Sequence, residues 1–132
     1  MKDMVHMITV KRALSPVSGA ADNAAQTTED VDRQGYESAT LVIATGALSD
    51  ADAIFTVELL ESDDDATYTA VAAADMISQG TGDPEVNATL QFDDDNEVRT
   101  LGYRGDARYL RATITPATNT GAWLIAAVWV LG

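Results

Sequence analysis

GYRGDARYLRATITPATNTGAWLIAAVWVLG, Gly102 to Gly132, decides the fold. Leu110, Ala112 and Ile114 alternate with Tyr109, Arg111, Thr113 and Thr115, the period of two expected of a strand with one buried face. Past the turn residues Pro116, Asn119 and Gly121, a second set follows: Trp123, Ile125, Ala127 and Trp129 against Leu124, Ala126, Val128 and Val130. Both halves of that set are apolar, which predicts a strand covered on its two faces. At about half the roughly 20 residues a spanning helix needs, the run Ala122 to Leu131 predicts a core element and no membrane partner.

Toward the N-terminus the same period recurs. Met7 to Leu14, Tyr36 to Thr45 and Ala53 to Glu61 read as strands, and the acidic turn ESDDDAT leads to Tyr68–Val71, forming a hairpin. AAADMI, Ala72 to Ile77, reads as a single helical turn, and SQGTGDP breaks regular structure through two glycines and a proline. Ala88 to Phe92 and Glu97 to Tyr103 resume the strands. Seven or eight short strands with no crossover helix predict an all-β antiparallel sandwich, of immunoglobulin-like or jelly-roll type. Ser15 to Gln34 is polar with little apolar periodicity and reads as a long connector. The expected organisation is a single domain, with residues 1–34 forming an N-terminal strand and extended arm or connector and residues 35–132 the sandwich body.

The 132 residues carry 21 acids and 8 bases, a net charge of −13 that repels nucleic acid and anionic membranes. No cysteine is present, so disulfide frameworks, thiolate zinc sites and cysteine nucleophiles are excluded. The start, MKDMVHMITVKRAL, lacks the apolar core of a secretory signal. Between Glu61 and Glu97 there is no Lys or Arg, whereas Arg99, Arg104, Arg108 and Arg111 follow closely, and Lys2, Lys11 and Arg12 form a second basic group. Such charges are commonly solvated faces in mutual balance. The sharper reading takes Lys2, Lys11, Arg12, Arg104, Arg108 and Arg111 as partner contacts, because arginine beside tyrosine anchors many interfaces.

No set of residues reads as catalytic. His6 stands alone near the N-terminus, without a nucleophile elbow or a glycine-rich oxyanion loop elsewhere. Asp63-Asp64-Asp65 and Asp93-Asp94-Asp95 offer oxygen ligands of the kind Ca²⁺ takes, yet neither follows the EF-hand template, and both suit turns better. Arg104-Gly105-Asp106 reads as a turn in which Gly105 allows positive φ, and Asn87-Ala88-Thr89 matches a glycosylation sequon. No catalytic, cofactor or metal residue is therefore assigned.

Two stretches carry a resemblance. DRQGYESATLVIATGALSDADAIFTVELLESDDDATYTAV (Asp32–Val71) and RTLGYRGDARYLRATITPATNTGAWLIAAVWVLG (Arg99–Gly132) resemble small β-rich structural proteins encoded in the head-gene region of tailed bacteriophages and prophages. The resemblance implies a non-enzymatic virion protein, made in the bacterial host cytoplasm. The implied role is decoration or cement on the capsid exterior, with the major capsid protein as partner. Closed symmetry at a threefold shell position favours a homotrimer. The N-terminal segment to about Gln34 is then expected to reach a neighbour, so that removing residues 1–15 leaves the sandwich folded. Alternatives are a head-tail connector, a head-fibre base or tail component, and a carbohydrate-binding sandwich module.

Overall fold

The computed structural model describes residues 2–16, 18–19, 22–78 and 89–132, and these form two antiparallel sheets packed face to face. One sheet runs β1 (Thr9–Leu14), β12 (Trp123–Leu131), β5 (Ala39–Leu48), β10 (Val98–Tyr103) and β8 (Met76–Ser78), with β2 (Ser18–Gly19) also on β12. The other runs β3 (Gln26–Thr27), β11 (Tyr109–Ala117), β6 (Ile54–Ser62) and β7 (Thr69–Ala70), with β4 (Val31–Asp32) on β11 and β9 (Thr89–Leu90) on β6. The chain is an all-β sandwich, as its alternation predicts.

The period-two pattern sorts the core. Leu41, Ile43, Leu101, Ile125 and Trp129 face inward from the first sheet, and Phe55, Leu59, Leu110 and Ile114 from the second, all buried. Burying each such side chain is worth about 1.5–3 kcal/mol, enough in sum to drive closure without cross-links. The Phe55 and Trp123 rings join the layers, their centroids 5.4 Å apart and planes tilted by 51°. The expected hairpin across the acidic turn is present, as Leu60 pairs with Ala70 and Glu61 with Thr69. The helical turn is a 3₁₀ turn at Ala73–Asp75 that runs directly into β8. Residues 79–88, which hold most of SQGTGDP and the first two positions of Asn87-Ala88-Thr89, lie outside the described residues.

The two closing strands sit in opposite sheets, so the turn between them bridges the layers. Thr118 takes φ 57°, and Asn119 is buried with its amide donating to the Asp22 carbonyl at 2.8 Å. The Asp50 carboxylate accepts from the Thr120 backbone N–H at 2.6 Å and from the Thr120 hydroxyl at 2.8 Å.

Three expectations need correction. Ser15–Gln34 is more than a connector, because β2, β3 and β4 lie within it. Its side chains lack alternation because most of its ordering comes from backbone pairing to β12 and β11, which side-chain periodicity does not report. Thr9–Leu14 is the strand expected within Met7–Leu14, but it is docked and does not belong to a reaching arm: it pairs with β12 from Thr9↔Leu131 to Leu14↔Ala127 and buries Ala13. What extends beyond the sheet is residues 2–8, where Met4, Val5 and Met7 are exposed. Finally, β12 is covered on one face only. The apolar residues Leu124, Ala126, Val128 and Val130 point outward, and among the described residues no element lies over them.

Candidate functional site

At one end of the sandwich the β6–β7 turn, the 3₁₀ turn before β8 and the β10–β11 loop surround an open groove of about 540 Å³. Glu61, Asp63, Asp64, Asp75, Arg104 and Asp106 line it. The groove is polar because its walls are turns, and turns recruit Asp for local hydrogen bonding.

Asp64 is occupied in holding backbone. The Asp64 carboxylate accepts from the N–H of Ala66 at 3.0 Å, the N–H of Thr67 at 2.8 Å and the Ser62 hydroxyl at 2.9 Å, and these bonds hold its carboxyl below the usual range. Asp65 takes φ 58° and accepts from the Tyr68 hydroxyl at 2.6 Å. In the second acidic run, Asp94 accepts from the Gln91 N–H at 2.7 Å and Asp95 from the Leu48 N–H at 2.7 Å. Among the described residues no group of three or more acidic, histidine or cysteine side chains is arranged to hold a metal ion.

Beside the groove lies a clamp. Tyr103, on the inward face of β10, donates its hydroxyl to Glu61 of β6 and accepts the Ala107 N–H at 2.9 Å, thereby linking both sheets and the loop between β10 and β11. Burial first, and then the bond to Glu61, push its phenol up to about 12. The Arg33 guanidinium stacks 4.9 Å from the Tyr103 ring centroid and donates to the carbonyls of Gly105, at 2.6 Å, and Ala107. Gly105 does not take the positive φ expected from the sequence; among the described glycines only Gly35 does, at 89°. Its lack of a side chain answers to space, since a Cβ there would meet the Tyr103 hydroxyl at 2.4 Å.

Of the six basic residues singled out as partner contacts, Arg12, Arg108 and Arg111 each pair with an acid of residues 29–32. Arg108 forms a two-pronged pair with Asp32 at 2.9 and 2.8 Å, and Arg111 does the same with Asp30 at 2.5 and 2.8 Å. Arg108, with the Gln34 backbone N–H, holds the Asp32 carboxyl down at about 2. Arg111 also lies 3.8 Å from the Tyr68 ring centroid, and burial, with the bond to Asp65, raises the Tyr68 phenol. Arg104 donates to the Ala74 carbonyl at 2.8 Å and Arg12 pairs with Glu29, while Lys2 and Lys11 are exposed. His6 is exposed beside Asp3. Sequence reading missed the clamp of Arg33, Tyr103 and Glu61, and the acids Asp30 and Asp32 as the partners of Arg111 and Arg108. Their partners lie far apart in the chain, so no local spacing announces them; the aromatic and basic content of GYRGDARY is the only local trace.

No protein-family model matches the chain, and no curated protein matches it. Among solved structures it is similar to a family two carbohydrate esterase from Cellvibrio japonicus, with 11% identity and a TM-score of 0.39 over 95% of this chain and 33% of that one. It is likewise similar to the structure of infectious bursal disease virus Gx strain, with 12% identity and a TM-score of 0.40 over 94% of this chain and 31% of that one. The chain thus spans about a third of each neighbour's length.

Proposed function

We propose that the protein is a non-enzymatic structural component of a tailed-phage virion that decorates the outer surface of the head and cements its major capsid protein. The observation that carries the reading is the use made of charge at the groove. Asp64 of the groove hydrogen-bonds its own turn, and beside the groove Arg33 holds the β10–β11 loop while Arg108 and Arg111 pair with Asp32 and Asp30, as a rigid building block requires. The resemblance of Asp32–Val71 and Arg99–Gly132 to phage head-region proteins supplies the setting. In this reading the exposed N-terminal turn, Met4, Val5 and Met7, with Lys2 beside it, is the element that reaches the shell.

Heads assembled without this protein provide the test. Added protein should co-sediment with them saturably, at a copy number that follows the shell lattice, and should raise the temperature at which the heads rupture. Absence of co-sedimentation overturns the proposal, and occupancy of a single vertex replaces it with a connector or fibre-base role.

A further inference from the structure

The outward face of the first sheet differs from the rest of the molecule. Register brings Val10, Val130, Thr40, Gly102 and Ile77 into one row and Arg12, Val128, Val42 and Thr100 into the next. Beyond them lie Ala126, Ala44 and Val98. Among the described residues the face is built of β-branched and small residues with one arginine and no acid, and no element lies over it, with Val98 66% and Val10 56% exposed. In a chain of net charge −13 this absence of carboxylates across five strands stands out.

We infer that this face seats a second copy of the chain, sheet against sheet. Two arguments select that occupant. The first is charge: most other surfaces carry Asp and Glu, so two copies meeting elsewhere bring carboxylates together, whereas here the strands carry none and the one carboxylate at the rim, Glu29, is neutralised by Arg12. The second is area and shape. The three rows hold twelve outward residues, and at ~4.8 Å between strands and ~6.6 Å between same-face residues they cover roughly 400 Å² per copy. A pair therefore buries on the order of 800 Å², the size of a weak, transient association, which fits a dimer that fills only at high concentration. Sheets with small and β-branched faces stack ~10 Å apart with side chains interdigitating. A face packed on its own equivalent is isologous, so assembly through it closes at two copies and does not generate the trimer expected from a threefold shell site. The inference does not depend on the virion reading.

Sedimentation velocity over a concentration series from low micromolar to near-millimolar tests it. The wild-type chain should pass from monomer to dimer. Val98→Lys, at an exposed position, and Val42→Lys, at the centre, should each remain monomeric throughout while retaining the wild-type circular dichroism spectrum. Should Val42→Lys fail to fold, Val98→Lys decides the matter. Because the chain has no cysteine, a spin label on Val98→Cys gives a second readout: intermolecular dipolar broadening that grows with concentration. A wild-type chain that stays monomeric or forms a trimer overturns the inference, as does a dimer that survives both lysine substitutions. A monomer whose shell binding is lost in Val98→Lys would assign the face to the shell instead.

Discussion

Tyr103 ties β10 to β6 and to the loop that follows it, through one hydroxyl that both donates and accepts. Removing that hydroxyl leaves the Ala107 N–H without its acceptor and Glu61 without its donor. The expected loss for Tyr103→Phe is roughly 1–2 kcal/mol, measurable by urea unfolding. The phenol also sets an alkaline limit. Burial raises its folded pKa to about 12 from the 10.0 of a free phenol, so the folded chain keeps a proton that the unfolded chain releases. That contribution is complete below pH 10 and is lost as pH rises toward 12. Stability of the wild type should therefore fall across this window more steeply than that of Tyr103→Phe; parallel curves would remove Tyr103 as the cause. Gly105 belongs to the same unit, its missing Cβ making room for the ring.

At the scale of elements, β1 is an edge strand whose backbone ladder with β12 covers five register pairs, reinforced by the Tyr36 hydroxyl donating to Thr9 Oγ1 at 2.9 Å. Deleting residues 2–8 should leave the thermal midpoint nearly unchanged. Deleting residues 2–14 removes the ladder and the buried Ala13, and at ~1 kcal/mol net per backbone hydrogen bond the loss is on the order of 3–5 kcal/mol. Calorimetry of the two truncations separates a docked strand from a free arm, and equal midpoints would mean that β1 contributes nothing to the fold. The alternation in Tyr109–Thr115 made β11 legible in sequence, down to which residues face inward, because one of its faces meets water and the other the core. β12 was legible as a strand, but not its uncovered side: Val128 and Val130 look the same in sequence whether the cover comes from the same chain or from elsewhere. β2, β3 and β4 were not legible at all. Two-residue pairings are too short for a period, and they are selected by strands far along the chain. The candidate site was legible only in part, since Arg108 and Arg111 were found while Asp32 and Asp30, which neutralise them, were not assigned as their partners.

For the whole molecule the balance lies between a few exposed ion pairs and a large like-charge excess. Surface pairs such as Arg108–Asp32 are worth little, even in two-pronged geometry, because solvent screens them. A net charge of −13 on a compact body opposes folding through self-repulsion. Repulsion is the larger effect, so added monovalent salt should raise the unfolding midpoint by several degrees. A midpoint that falls with salt would show that the ion pairs dominate. The pairing of the first strands with the last has a temporal consequence. Thr9 finds its partner at Leu131 and Gln26 at Ile114, so β1 and β3 have no template until β11 and β12 have left the ribosome. Segments made before their partners are therefore late to find their place, and loop-closure entropy, rather than local propensity, governs how soon the sandwich closes.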